Sequence, residues 1–179
     1  FKEAEATGVK EENDAFLVET ASGNFRSKTV IIATGTKPRV LNVDGEGEFK
    51  NRGVAYCTTC DGPLFFNKDV AIIGGGNSAL ESTVQMINIA RKIYLINIGN
   101  ELTGDKILIE KVKLSQKVEI LNNTKTIAIL GYKFVNGIRI VQEGIEKEIS
   151  VHGVFINIGY IPNTEIVKNL VRLNMNGEV

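Results

Sequence analysis

The chain has 179 residues, 43% of them hydrophobic, and its 21 basic residues balance 21 acidic ones. That length allows one domain or parts of two with a sizeable core. With no basic stripe or aromatic-basic cluster, nucleic acid is not an expected partner. No apolar run approaches membrane length and Phe1-Lys2-Glu3 carries no signal-peptide pattern, so no membrane association is expected. Two cysteines fit a reducing, cytoplasmic setting. The sequence begins abruptly at Phe1, without an initiator methionine, and its last residues read like the approach to another strand. A piece of a longer protein is the expectation.

In chain order, Ala15–Thr20 alternates well enough for a strand, 21–24 is turn chemistry, and 25–33 supplies a return strand. Its second half, 29–33, is apolar on both faces and should lie inside a sheet. It exits through Ala33-Thr34-Gly35, where backbone could approach a ligand or simply turn. Residues 41–52 are polar and contain glycine, a plausible linker. A second unit then starts near Gly53. Asp69–Ile73 reads as a buried strand and 77–90 as a helix, with Ser78 and Glu81 at capping-box spacing. A strand over 92–97 completes a right-handed βαβ unit. A helix over 106–116 and a strand at Val118–Leu121 follow. From 125 to 151 short hairpins are expected, with Asn136-Gly137 the strong turn signal and Glu143-Gly144 a weaker one. A last buried strand over 154–158 leads to Gly159, and a short helix is expected over 164–170.

Two motifs carry chemistry. Cys57-Thr58-Thr59-Cys60-Asp61-Gly62 holds both cysteines, two residues apart, with a carboxylate directly behind. Such a pair can close a disulfide and reopen it by exchange, and Asp61 could move a proton to or from a thiolate. Zinc would need four ligands, and the only histidine, His152, is far along the chain. A purely structural disulfide belongs more often to cysteine-dense secreted domains. Fourteen residues after Cys60 begins Gly74-Gly75-Gly76-Asn77-Ser78-Ala79, a G-x-G-x-x-A phosphate loop between a strand and a helix. Gly74 permits the tight turn, Gly76 lets backbone approach a pyrophosphate, and Ala79 keeps the helix against the sheet. The helix N-terminus presents free N–H groups to the phosphates. At the end of the next strand, where a carboxylate would favour NADH and arginines NADPH, stands Asn97. It can hydrogen-bond a ribose hydroxyl but offers no charge to a 2′-phosphate, so an NADPH preference is not supported. Glu101 is the alternative acidic residue if the strand ends later.

The run from Gly53 through Cys57, Cys60, Asp61 and Gly62, the Gly74-to-Ala79 loop, Ala33-Thr34-Gly35 and Gly159-x-x-Pro162-Asn163-Thr164 fall in order at matching spacing. Together they resemble the low-molecular-weight thioredoxin reductases and the related flavoprotein subunit of alkyl hydroperoxide reductase, along essentially the whole chain. The resemblance implies an α/β fold: a Rossmann-like parallel sheet with helices and a small antiparallel meander, inserted into a partial FAD-domain remnant. On that basis 1–51 and 153–179 are FAD-domain segments and 52–152 is the NAD(P)-binding domain carrying the dithiol. It further implies FAD in a homodimeric parent protein, NADH or NADPH as donor, and a thioredoxin-like protein disulfide as acceptor. Carried over by position, Cys60 is the sulfur nearest the flavin, Cys57 attacks the partner disulfide, and Asp61 protonates the departing thiolate. Ala33, Thr34 and Gly35 belong with the FAD domain, and the domain crossings are expected near Gly53 and Gly153. Two parts of the family pattern are missing: the βαβ unit with the FAD glycine fingerprint, and the arginine signature for NADPH over 97–103. The peroxide-reductase relatives place glutamate where Asn97 stands, so their pattern is not met either. Alternative readings are a nucleotide-binding module without flavin or activity, or a reductase with another donor, such as a deazaflavin.

Overall fold

Polar side chains at left-handed positions set the first turn of the computed structural model, which describes residues 2–179; Phe1, where the sequence begins, lies outside them. Asn13 and Asp14 take φ of 46° and 59°. Two successive positive φ values suit a tight hairpin, and Asn and Asp tolerate them best among non-glycine residues. They join β1 (Ala6–Glu12) to β2 (Ala15–Thr20), and β3 (Gly23–Ser27) adds to the other edge of β2. The strand β1 has no clean alternation of apolar residues, which hid it in the sequence. A short strand, β4 (Thr36–Pro38), follows.

The second compact unit, Pro38–Gly159, is built around one parallel sheet. In chain order its elements are β5 (Val54–Ala55), α1 (Thr58–Asp61), a 3-10 turn (Gly62–Phe65), β6 (Asp69–Ile73), α2 (Asn77–Ile87), β7 (Lys92–Ile96), α3 (Lys106–Leu114) and β8 (Val118–Leu121). Then come β9 (Thr124–Gly131), β10 (Val135–Gln142), β11 (Ile145–Ile149) and β12 (Gly153–Ile156). The parallel sheet runs β5-β12-β6-β7-β8, and β11-β10-β9 form the separate antiparallel meander. Because side chains alternate along a strand, the sheet has two different faces. Val70, Ile72, Ile93, Leu95 and Phe155 meet Leu80 and Met86 of α2 and Val112 of α3. Ala71, Ile73, Ile96, Val154 and Ile156 meet Ile129, Ile138 and Ile140 of the meander. Both faces are covered, which is why these strands read as continuous apolar runs. Each such fully buried aliphatic side chain contributes roughly 1.5–3 kcal/mol.

The first unit closes with the end of the chain, Tyr160–Val179 joining the residues up to Lys37. Here β13 (Tyr160–Pro162) pairs with β4, and a 3-10 turn (Glu165–Val167) buries Val167. The Asn163 side chain donates to the Thr34 carbonyl (3.0 Å) and its backbone N–H to the Gly35 carbonyl (3.0 Å). Residues 129 positions apart are thereby joined in one unit.

Several expectations are corrected. Residues 29–33 form no strand, and Ile31 is 92% exposed, since no strand among the described residues pairs with this segment. The strand expected over 154–158 is β12, which lies between β5 and β6 and not with 29–33. The compact units divide after Lys37 and after Gly159, so the second unit takes in residues on either side of 52–152. Residues 41–52 are no linker: Phe49 is 3% and Glu46 5% exposed, and Asp44 bridges to Ala128 of β9. The meander turns at Tyr132-Lys133-Phe134, while Asn136 and Gly137 lie inside β10 at a bulge. The weaker signal, Glu143-Gly144, makes the β10–β11 turn with φ of 53° and 77°. Only a 3-10 turn forms in place of the helix over 164–170.

At the start of β6, Arg91 grips Asp69 with two bonds, Nε to Oδ1 at 2.7 Å and Nη2 to Oδ2 at 2.5 Å. The Arg91 guanidinium, by hydrogen bonding, holds the Asp69 carboxyl below the usual carboxylate range. A carboxyl depressed on folding adds stability that is present above its unfolded pKa of about 3.9 and is lost as pH falls through the folded value. Arg91→Ala should lower the urea midpoint at neutral pH and make it less sensitive to acid below about pH 4. Denaturation of both proteins across that range checks it.

Candidate active site

Cys57 caps the N-terminus of α1, and the two sulfurs are joined as a disulfide. The Cys60 N–H donates to Cys57 Sγ at 3.2 Å. Cys57 is half-buried and Cys60 exposed, with Asp61 half-buried beside them. An N–H aimed at the sulfur favours its thiolate once the disulfide is reduced. The short helix α1 is held by α2: buried Thr58 donates to Ser82 (2.8 Å) and Gln85 donates to Thr59 (3.1 Å). Beyond it, Phe65 packs edge-on against Phe155 of β12, ring centroids 5.2 Å apart. On the other side, the Tyr56 hydroxyl donates to the Glu46 carboxylate at 2.7 Å, which also accepts from the N–H groups of Leu41 and Asn42 (3.0 and 2.7 Å). Burial, then this carboxylate, push the Tyr56 phenol well above its ordinary pKa.

At the C-terminal ends of β12, β6 and β7 opens a cavity of about 700 Å³. It is lined by Gly74, Gly75, Gly76, Asn77 and Ser78 of the loop, by Asn97 and Glu101, and by Gly159. Ala79, fully buried, packs beneath it on the helix face of the sheet. The three glycines differ in what they require. Gly74 has φ +141°, and a Cβ there would meet the Asn157 carbonyl oxygen at 2.2 Å; one on Gly75 would meet Asn97 Oδ1 at 2.2 Å. At Gly76 φ is −97°, and the nearest atom to such a Cβ is Thr103 Oγ1 at 4.0 Å. The protein itself gives no reason for glycine at 76. The space it leaves opens beside the free N–H groups at the start of α2, which fits a phosphate brought close to backbone. Gly76, not Ser78, is the N-cap, because its carbonyl already accepts from Ala79 and Leu80 (3.1 Å each). The capping box expected from Ser78 and Glu81 does not form.

Asn97 lines the cavity, but its amide is committed within the protein. Nδ2 donates to the Glu101 carbonyl (2.8 Å) and to Asn122 Oδ1 (2.9 Å), and Oδ1 accepts from Gly99 N–H (3.1 Å). The amide thereby closes its own loop. The exposed Glu101 is the carboxylate that faces the cavity. Arg139 is paired with Glu148 (2.8 Å) and is absent from the lining, whose basic side chain is Lys125. Sequence reasoning missed Lys125, Thr126 and Asn157, as well as the apolar wall of Val40, Leu41 and Val43. Leu41 and Val43 were hidden in the supposed linker; Val40 and the other three carry no motif. Ala33, Thr34 and Gly35 lie in the first unit, exposed, with Gly35 at φ +63° and nothing within 4 Å of where its Cβ would be. That open backbone fits close approach by a cofactor. Among the described residues no cluster of metal-ligating residues occurs and no helix is long and apolar enough to cross a membrane.

A disulfide pair and a dinucleotide-type cavity thus share one doubly covered parallel sheet. The family model for pyridine nucleotide-disulphide oxidoreductases matches residues 1–179, and the chain belongs to that family. Within it the chain falls with the low-molecular-weight thioredoxin reductases and the flavoprotein component of alkyl hydroperoxide reductase. It is 43% identical over 172 residues to the NADH dehydrogenase of Bacillus subtilis (strain 168), covering 94% of this chain and 34% of that protein. Over 177 residues it is 41% identical to the F component of alkyl hydroperoxide reductase from Staphylococcus aureus (strain MRSA252), covering 97% of this chain and 35% of that protein. Among solved structures, it superposes on T. acidophilum thioredoxin reductase with a TM-score of 0.87 at 34% identity, covering 97% of this chain and 58% of that one. On Lactococcus lactis thioredoxin reductase the TM-score is 0.88 at 29% identity, with the same coverage. The chain thus spans about a third of the length of the curated relatives it matches.

The glycines make separable predictions. Gly74→Ala, strained in φ and driven into backbone, should destabilise the fold by about 1–3 kcal/mol. Gly76→Ala should leave the thermal midpoint nearly unchanged while sharply weakening nucleotide binding. Thermal melts and nucleotide titrations of the two variants check this pair.

Proposed function

We propose that this chain is the nucleotide-binding, dithiol-bearing part of an FAD-dependent disulfide reductase that passes electrons from NADH to a thioredoxin-like protein. The observation that carries the reading is the disulfide on α1 held by the same helix, α2, whose N-terminus forms the phosphate loop. Flavin, when bound by the parent protein, supplies the electron pair that reduces the Cys57–Cys60 disulfide to two thiols. The Cys57 thiolate, favoured by the Cys60 N–H, attacks the partner disulfide. A mixed disulfide forms and one partner thiolate leaves. Cys60, as thiolate, then attacks Cys57 Sγ, which re-forms the internal disulfide and releases the second partner thiolate. Asp61 is the acid that returns a proton to a departing sulfur. Ala33, Thr34, Gly35 and the other residues of the first unit belong to the FAD domain, and the parent acts as a homodimer.

Glu101 at the cavity favours a free ribose 2′-OH and repels a 2′-phosphate, which supports NADH as donor. A charge-assisted hydrogen bond to a 2′-phosphate is worth about 1.5–3 kcal/mol, and no arginine lines the cavity to make one.

Two outcomes test the proposal. Cys60→Ser should trap a mixed disulfide between Cys57 and a thioredoxin-like protein, visible as a reductant-sensitive band, and Cys57→Ser should not. If both variants, or neither, form the adduct, the assigned division of labour is wrong. In titrations, NADPH should bind no more tightly than NADH, and Ile98→Arg, at an exposed position on the cavity rim, should raise affinity for NADPH selectively. Tight NADPH binding by the wild type would reject the donor assignment.

A further inference from the structure

Two buried side-chain oxygens among the described residues have no hydrogen-bond partner, Thr126 Oγ1 and Asn157 Oδ1, and both residues line the cavity. Thr126 is 4% exposed. Dry, unpaired polar atoms oppose folding and are rare in native proteins, so their coincidence in one cavity marks a surface that a bound molecule completes. The two atoms make different demands. A hydroxyl donates or accepts and suits many partners, whereas an amide oxygen only accepts and requires an N–H or O–H from the ligand.

The sheet order states which part of a dinucleotide Asn157 meets. The loop that would hold the pyrophosphate follows β6, which is flanked by β7 on one side and β12 on the other. The first ribose and its adenine lie toward the strand that follows the helix, here β7 with Glu101 beyond it. The second nucleoside must then extend toward β12. Asn157 follows β12 directly, its N–H bonded to the Ile73 carbonyl (2.8 Å) and its own carbonyl against Gly74. It stands beside the loop on the side of the second nucleoside.

We propose that Asn157 is a specificity-determining residue whose side-chain oxygen accepts a hydrogen bond from the carboxamide N–H of the nicotinamide ring. This rests on the nucleotide-binding reading of the cavity and adds to it the group that selects nicotinamide over another base. Backbone at Asn157 is fixed by β12 and by Gly74, so the amide is presented from a rigid element. The neighbouring lining residue Ile158 is apolar and half-buried, which suits one face of a planar ring.

Calorimetric titration of the full chain with three probes tests it: NADH, reduced 3-acetylpyridine adenine dinucleotide, in which a methyl group replaces the carboxamide nitrogen, and ADP-ribose, which lacks the ring. Wild type should bind NADH roughly five- to tenfold more tightly than the acetylpyridine analogue, the usual worth of one hydrogen bond. Asn157→Ala should abolish that difference and leave ADP-ribose binding unchanged, and Asn157→Asp, which keeps an acceptor, should retain the difference. Equal binding of NADH and the analogue by wild type overturns the proposal without recourse to any variant. So does an Asn157→Ala variant that weakens ADP-ribose as much as NADH, since the contact would then be to ribose. If wild type binds none of the three, the nucleotide-binding reading fails and the proposal with it.

Discussion

The burial of α2 is the constraint on which the rest of the second unit depends. Ala79, Leu80, Thr83 and Met86 are fully buried, so the helix has one position on the sheet. Its first residues place the glycine loop at the ends of the parallel strands. Further along, its side chains hold the dithiol: Ser82 takes the Thr58 hydroxyl, and Met86 Sδ would lie 3.0 Å from a Cβ on Gly62. Ala79 and Gly62 are small because larger residues would lift α2 from the sheet or α1 from α2. Nucleotide loop and disulfide are thus two ends of one packing decision.

The meander plays the complementary part. It covers the opposite face of the sheet, and through the Asp44–Ala128 bridge it carries the 41–46 segment against β9. That segment supplies the apolar side of the cavity, while the loop and Glu101 supply the polar side. Such a division, broad apolar walls with a few directed polar groups, is what small-molecule sites generally require.

What the sequence made legible follows from which interactions are local. The strands β6 and β8 and the phosphate loop were readable because apolar runs and glycine spacing are written in consecutive residues. The dithiol was readable because its chemistry needs only two residues. Other features were not. The Asn136-Gly137 pair reads as a hairpin turn by itself, but sheet register places it in β10, where a bulge absorbs it. The Thr29–Ala33 run is strand-like in composition, yet a strand needs a neighbour, and none among the described residues pairs with it. The position of Asn97 was legible, but its partners Glu101 and Asn122 were not. Asn157 and Thr126 had no signal at all, since being unpartnered is a property of the folded state.

The Glu46–Tyr56 contact has a consequence for the dithiol beside it. Burial and an acidic neighbour both resist ionisation of the phenol, so Tyr56 stays neutral and keeps donating its proton to Glu46 throughout the range in which thiols lose theirs. No tyrosinate forms next to Cys57 to oppose a developing thiolate. Alkaline spectroscopic titration of the reduced protein would therefore report sulfur ionisation undistorted by the residue adjoining it. The acid–base behaviour of the pair is left to its own two sulfurs, the Cys60 amide that points at Cys57 Sγ, and Asp61.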